Sequence, residues 1–275
     1  MTTPMTTPSE PRTPNLYHAT ARPTVGALGG VALAVAAIAT ALLVGSIAIV
    51  AGASLVPALA IGQLAMLATT ALAVRAMHPD GATTRLGFGR PPGRAVVGAL
   101  LLGATAWYLN LRVAVALAHA WPWTQTGAGA LQSLATDPAL GWTLVAVALL
   151  PAVCEEIVFR GVLARGLASR LRWPVAAGLS ALLFAAYHMN LAQLAPTLLL
   201  GFLYAAIAIR VRSAVPTMLA HLINNTAAIL LAREEGAPLA RILDSHPRLA
   251  LASAVGVATA GLVLGLTSVP HRRII

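Results

Sequence analysis

Apolar runs long enough to cross a membrane recur along this sequence and dominate what the chain can fold into. The first extends from about residue 25 to 51, and seven more cover roughly residues 54–77, 95–119, 139–164, 174–189, 194–210, 214–232 and 248–269. A helix of about 20 apolar residues spans a hydrocarbon core of roughly 30 Å. The runs are continuous rather than alternating, which argues against a transmembrane barrel. We therefore predict an all-α, polytopic membrane protein with about eight transmembrane helices.

Composition and run length add detail to this prediction. The chain is 58% hydrophobic and only 9% charged, whereas a soluble domain carries about 25% charged residues. The fifth and sixth runs are short, so we expect these helices to be broken or covered by neighbours. Residues 1–24 are rich in Pro and Thr and predict a disordered cytoplasmic tail. Residues 25–270 then form a single transmembrane helical domain.

The basic residues indicate a lipid bilayer, and no nucleic acid, as the partner of this chain. All 18 are arginines, giving a formal net charge of +10, and most lie in the tail, in every second connection between runs and at the C-terminus. These are Arg12, Arg22, Arg75, Arg85, Arg90, Arg94, Arg165, Arg170, Arg172, Arg210, Arg212, Arg272 and Arg273. Because basic residues accumulate on the cytoplasmic side of a membrane, the pattern predicts that both termini are cytoplasmic.

Two adjacent glutamates interrupt the fourth run. Six of the eight acidic residues fall in the tail or in connections, and only Glu155 and Glu156 lie within a run. An ionisable side chain at the bilayer centre costs about 2.5–3.5 kcal/mol, so it marks a candidate functional site. Arg160 lies one helical turn after Glu156, which predicts a structural ion pair. Glu155 points about 100° away and has no partner on its own helix. It therefore suits a general base, although both glutamates could simply hold helices together.

Three further polar side chains occur in two other runs. His188 lies near the end of the fifth run, and His221 and Asn225 lie one helical turn apart in the seventh. Polar groups on neighbouring membrane helices seek one another, so we expect them to meet the glutamates. Such a group suits the activation of water. The side chains either do this directly, or Glu155 and the two histidines hold a Zn²⁺ ion with one open position.

Three motifs on these runs resemble those of a known family. The patterns EExxxR, FxxxH and HxxxN occur in this order as Glu155-Glu156-Ile-Val-Phe-Arg160, Phe184-Ala-Ala-Tyr-His188 and His221-Leu-Ile-Asn-Asn225. They resemble the CPBP intramembrane proteases, which include the CAAX prenyl endopeptidases and the Abi, bacteriocin-processing group. The resemblance covers about residues 139–232, which we expect to form the protease core.

This resemblance implies hydrolysis of peptide bonds inside the membrane. By the family pattern, Glu155 and His188 activate the attacking water, and His221 and Asn225 stabilise the oxyanion. Family members are usually described as metal-dependent. If Zn²⁺ is bound, Glu155, His188 and His221 are the natural ligands and Glu156 becomes the candidate base.

The substrate class and two alternative functions stay open at this point. A sequence rich in Ala and Arg, without Lys, is typical of a bacterial plasma membrane protein, and such a cell need not make prenylated proteins. Processing of a peptide, or immunity to a bacteriocin, then fits better than prenyl-protein maturation, and a lipid-modified substrate is compatible with both. The alternatives are an inactive scaffold or immunity protein, and a proton-coupled transporter that uses Glu155. Transporters often contain inverted repeats, and the sequence shows no such symmetry.

Overall fold

A computed structural model describes residues 24–125, 129, 132, 139–233 and 236–268. Within these ranges the chain forms helices and no strand. The helices are α1 Ala27–Val50, α2 Leu55–Met77, α3 Ala82–Arg85, α4 Gly93–Ala120, α5 Leu140–Leu167, α6 Trp173–Tyr187, α7 Leu191–Val211, α8 Val215–Leu231, α9 Ala237–Ser245 and α10 Pro247–Thr267. A 3₁₀ turn follows α4 at Pro122–Gln125. Apart from Thr24, the predicted N-terminal tail lies outside the described residues, as do the arginines at the C-terminus.

Each of the eight apolar runs coincides with one helix, which confirms the predicted polytopic all-α fold. Six described helices, α1, α2, α4, α5, α7 and α10, are long and apolar enough to cross a membrane. The other two, α6 and α8, are shorter apolar helices. The sixth run forms a continuous helix of 21 residues, and half of its most apolar stretch is buried, so of the two expectations it is covered by neighbours and is not broken. Its helix, α7, begins at Leu191 because the Asn190 side chain accepts a hydrogen bond from the Ala192 amide, 3.0 Å, and caps the first turn.

Helix α5 lies at the centre of the bundle. In the most apolar 18-residue stretch of α5, 61% of the residues are buried, whereas the share is 22% in the corresponding stretches of α1, α4 and α10. Helices α1, α2, α6, α7 and α8 all pack against α5, and α4 packs against α8 and α10. The two outer faces of the bundle are therefore made by α1 and by the α4–α10 pair, and the polar residues of α5 face protein rather than lipid.

Two stretches of α5 depart from regular α-helix. Residues 144–149 and 156–164 form wide, π-helical turns, a feature found frequently at functional sites. Pro151 lies between them and carries no N–H, so the Val147 carbonyl, its acceptor in an α-helix, loses that donor. The second wide stretch begins at Glu156 and includes Arg160.

A close backbone contact fixes the second wide stretch against the connection after α3. A Cβ atom at Gly161 would overlap the Leu86 carbonyl oxygen, so only glycine permits this approach. Gly87, on the other side of the contact, has φ 99°, a conformation that favours glycine. Small residues allow membrane helices to approach closely. Here they set the depth and rotation of the helix that carries Glu155 and Glu156.

Three hydrogen bonds gather the arginine-rich connections at one end of the bundle. They join Arg165 Nη1 to the Thr84 carbonyl, 2.9 Å; the Ala214 amide to the Gly87 carbonyl, 2.9 Å; and Arg210 Nε to the Leu266 carbonyl, 2.8 Å. The α2–α4, α5–α6 and α7–α8 connections and the end of α10 therefore share one side. This is the arrangement from which the sequence predicts cytoplasmic termini, and the orientation itself stays a prediction.

Candidate active site

The candidate site contains a fully buried ion pair. Arg160 Nη1 lies 3.0 Å from Glu156 Oε1, and both side chains have 0% exposure. The contact follows from their spacing of one helical turn along α5, as the sequence predicts. The Arg160 guanidinium also lies over the Phe184 ring, 4.1 Å from its centroid, and 5.6 Å from that of Tyr204. Aromatic faces attract cations, so the two rings supplement the contact with Glu156 for a guanidinium whose nitrogens are buried and make no hydrogen bond in the structure.

His221 joins this pair from α8. Its Nδ1 lies 3.0 Å from Glu156 Oε1, the same oxygen that Arg160 contacts. A carboxylate can only accept, so Nδ1 carries the hydrogen and the ring presents Nε2 on its other side. Sequence reasoning placed His221 with the reacting groups but did not pair it with Glu156. This contact holds α8 to α5 at the depth of the candidate site.

Glu155 has a partner, and it comes from a distant part of the chain. Gln63 on α2 donates from Nε2 to Glu155 Oε1, 2.6 Å, and the two residues are only 6% and 4% exposed. We expected no partner for Glu155 on its own helix, and the structure agrees on that point. Helical periodicity says nothing about a partner on another helix, however, and the sequence analysis missed Gln63. The other carboxylate oxygen, Oε2, is buried and accepts no hydrogen bond in the structure.

His188 completes a cluster around Phe184. It immediately follows α6, and its Nδ1 donates to the Phe184 carbonyl, 2.8 Å, one turn earlier. The ring centroid of Phe184 lies 4.8 Å from that of His188 and 6.1 Å from that of His221. Gln63, the partner of Glu155, lies 3.4 Å from the hydroxyl of Tyr187, whose ring centroid is 5.6 Å from that of His188. The expected convergence of α5, α6 and α8 is therefore present, with Phe184 at its centre.

Asn225 is directed elsewhere. Its Nδ2 donates to the Val147 carbonyl, 3.0 Å, and its Oδ1 accepts from Asn224, 3.0 Å. Val147 is the residue whose carbonyl loses its α-helical donor to Pro151, so Asn225 replaces the missing N–H. Its hydrogen bonds go neither to Glu155 nor to either histidine. The predicted role of Asn225 at an oxyanion stays a prediction, and these two bonds leave one N–H of its amide for it.

The predicted metal ligands do not form a metal centre in this arrangement. Across the described part of the chain, no three His, Cys, Asp or Glu side chains lie together as a metal-binding group. The Nδ1 atoms of His188 and His221 are bonded to a carbonyl and to Glu156, which leaves each Nε2 free, and Glu155 Oε1 is bonded to Gln63. Because the three side chains are not gathered into one group, no chemical step below passes through a metal.

Two further residues of the site were not predicted from the sequence. Tyr187 places its hydroxyl 3.4 Å from Gln63 Nε2, and Tyr204 is buried with its ring centroid 6.2 Å from that of His221. For Gln63 a signal existed, because a side-chain amide in an apolar run costs free energy unless it finds a partner. The tyrosines gave no such signal, since aromatic residues are common in apolar helices.

Comparison with known proteins agrees with the three motifs. Residues 137–227 match the family model described as type II CAAX prenyl endopeptidase Rce1-like. The match covers about one third of the chain, from just before α5 to near the end of α8. No curated protein and no solved structure matches the chain. The resemblance to the CPBP intramembrane proteases is confirmed over this segment.

Proposed function

We propose, from the premise that residues 137–227 are an Rce1-like protease segment, that this chain hydrolyses peptide bonds within the membrane with Glu155 as general base. The observation that carries the proposal is the state of this carboxylate. Glu155 is 4% exposed, one of its oxygens is held by a neutral amide, and the other is buried and accepts no hydrogen bond. A buried carboxylate with an open oxygen and no cation in contact can take a proton from water.

Glu155 and His188 act together on the attacking water. With Nδ1–H donated to the Phe184 carbonyl, a neutral His188 has its acceptor lone pair on Nε2. Glu155 Oε2 takes one proton as the water oxygen attacks the peptide carbonyl carbon. That proton then passes to the amine nitrogen as the C–N bond breaks. His188 orients the water through its second hydrogen.

His221 is the proposed donor to the oxyanion. Its Nδ1–H is fixed on Glu156, so Nε2 is the ring nitrogen left for the oxyanion, to which it donates when it carries a hydrogen. Removing one oxyanion donor from a protease costs about 2.7–4 kcal/mol. Asn225 is a second donor, because its amide nitrogen has another N–H besides the one that it donates to the Val147 carbonyl. Glu156 and Arg160 maintain this geometry and do not exchange protons with substrate.

The proposed substrate is a membrane-associated protein or peptide in a bacterial plasma membrane, with both termini of the chain in the cytoplasm. The clustering of arginine-rich connections at one end of the bundle supports this orientation. The proposal covers both a lipid-modified protein and an unmodified peptide as substrate.

The proposal is tested by comparing new peptide termini in membranes that contain the wild-type chain or its Glu155→Gln variant at equal amounts. We expect a set of termini that forms only with the wild type. An inactive scaffold or a transporter gives the same termini with both chains, and that outcome contradicts the proposal. Adding lipid-modified and unmodified forms of a cleaved substrate then separates the two substrate classes.

Loss of either histidine side chain is expected to silence the enzyme. His188→Ala removes a group that orients the water, and His221→Ala removes the oxyanion donor, so each lowers the cleavage rate about 100-fold or more. The rate is measured on a peptide built from one of the wild-type-dependent cleavage sites. His119→Ala, an exposed histidine at the end of α4, is the matched control and retains the wild-type rate. Wild-type activity in either site variant rejects the role given to that histidine.

A separate experiment tests whether the activity depends on a bound metal ion. Because the mechanism above uses only side chains of this chain, we expect purified protein to remain active after dialysis against a chelator. Elemental analysis of the same sample measures its zinc content. Stoichiometric zinc, with activity that disappears on chelation and returns on zinc addition, contradicts the metal-independent mechanism and makes Glu155, His188 and His221 the ligands to test.

A further inference from the structure

The residue that holds Glu155 lies outside the segment that matches the protease family. Gln63 is on α2, 92 positions before Glu155 along the chain, whereas the family match begins at residue 137. Gln63 is 6% exposed, and its Nε2 donates to Glu155 Oε1 at 2.6 Å. The short, buried contact joins the N-terminal half of the bundle to the carboxylate on which the proposed chemistry depends.

The orientation of the Gln63 amide follows from chemistry. If its oxygen instead faced Glu155, two acceptors would stand within hydrogen-bond distance with no hydrogen between them. The nitrogen therefore faces the carboxylate. The same Nε2 lies 3.4 Å from the Tyr187 hydroxyl, and the Tyr187 ring centroid is 5.6 Å from that of His188. Gln63 thus contacts the proposed base directly and reaches the second water-activating residue through one neighbour.

This contact makes the two oxygens of Glu155 different. Oε1 accepts from Gln63, and Oε2, also buried, accepts no hydrogen bond in the structure. We propose that Gln63 is a positioning residue, whose amide fixes the Glu155 carboxylate so that Oε2 alone faces the attacking water. This inference rests on the proposed function of Glu155.

A neutral donor suits this task better than a cation. Glu156 is held by Arg160 at 3.0 Å, and a full positive charge in contact makes a carboxylate a weak base. Gln63 orients Glu155 through an N–H without adding a charge. The different partners of two adjacent glutamates therefore explain how one can serve structure and the other chemistry. Groups that orient metal-bound side chains in this way contribute about 10–100-fold to activity, and we expect an effect of similar size here.

The experiment compares Gln63→Met with Thr70→Val in the full-length chain. Methionine is close to glutamine in size and cannot donate a hydrogen bond. Thr70 is a fully buried polar residue two turns along α2, and its hydroxyl donates to the Met66 carbonyl of the same helix. Both variants remove a buried polar group, and only the first touches Glu155. The readouts are kcat and KM on a fluorogenic peptide built from a Glu155-dependent cleavage site, together with the midpoint of thermal unfolding.

We expect Gln63→Met to lower kcat about 10–100-fold with KM within about twofold of wild type. Thr70→Val should keep the wild-type kcat. Gln63→Met should unfold at a lower temperature than Thr70→Val, because it leaves the buried Glu155 carboxylate without a donor, so kcat is measured well below both midpoints. Gln63→Glu keeps the shape but replaces the donor with a second carboxylate, so its kcat should fall at least as far. If the methionine variant does not accumulate, Gln63→Asn takes its place, because its shorter amide cannot reach Oε1.

Two outcomes overturn the inference and leave the proposed function intact. One is a kcat for Gln63→Met within about threefold of wild type while Glu155→Gln is inactive. The other is a rise in KM alone, which means that Gln63 contributes to substrate binding rather than to the base. If Glu155→Gln itself still cleaves the peptide, the proposed function fails, whatever the Gln63 variants do.

Discussion

Glu155→Gln is expected to reduce peptide cleavage about 100- to 10,000-fold while leaving the fold unchanged. The substitution replaces one carboxylate oxygen with an NH₂ group and alters the shape of the side chain very little. The remaining oxygen can still accept the hydrogen bond from Gln63 Nε2, now at 2.6 Å from Glu155 Oε1. What the variant loses is the ability to take a proton from water. The fall should therefore appear in kcat, measured on a peptide built from a wild-type-dependent cleavage site.

A matched carboxylate-to-amide change separates this effect from a general effect of charge. Asp244 lies exposed on α9, outside the matched segment, and Asp244→Asn should leave kcat at the wild-type value. Both variants should unfold within a few degrees of the wild-type midpoint. A Glu155→Gln protein that cuts at a rate near that of wild type would show that another group is the base, and Glu156 would then be the next candidate.

The helices were predictable because the bilayer imposes their length. Each apolar run had to become a helix, since only helices and closed barrels satisfy the backbone in lipid, and the observed helices follow the runs closely. Two features were not visible in the runs. The wide turns of α5 arise around Pro151 and in contact with neighbouring helices, and α9, Ala237–Ser245, carries charges that made it look like a connection.

The site was predictable wherever one helix sets the geometry. The Glu156–Arg160 contact and the His188–Phe184 hydrogen bond both follow from a spacing of one turn. Contacts between helices depend on how the helices pack, and no spacing encodes that. The pairing of Glu155 with Gln63 was therefore missed.

Asn225 shows where a closer reading of the sequence could have succeeded. Its hydrogen bond to the Val147 carbonyl looks unpredictable from the sequence of α8 alone. A proline beyond the first turn of a helix, however, deprives the carbonyl four residues earlier of its donor. In lipid that carbonyl must find a partner. Pro151 was thus a sign that a polar side chain from another helix would be needed at Val147.

Arg160→Ala is expected to destabilise the protein by about 3–5 kcal/mol, the usual effect of removing one partner from a buried ion pair. Arg160 and Glu156 are both fully buried, so the remaining carboxylate cannot reach water. The guanidinium also packs on Phe184, 4.1 Å from its ring centroid, and alanine leaves that face uncovered. We expect a lower yield of folded protein in the membrane and a lower midpoint of thermal unfolding. Arg241→Ala, which removes an exposed arginine on α9, should change neither.

Whether charge or volume is responsible can be decided with a double variant. Glu156→Gln combined with Arg160→Met removes both charges, keeps most of the volume and leaves an oxygen that can accept from His221 Nδ1. Because no charge is then buried without a partner, we expect this protein to be more stable than Arg160→Ala and than either single change at these positions. Additive losses in the double variant would mean that the pair is not coupled. In that case the packing of Phe184 and Tyr204, rather than the ion pair, would stabilise this part of the core. The assignment of Glu156 to structure rather than to catalysis would then lose its basis.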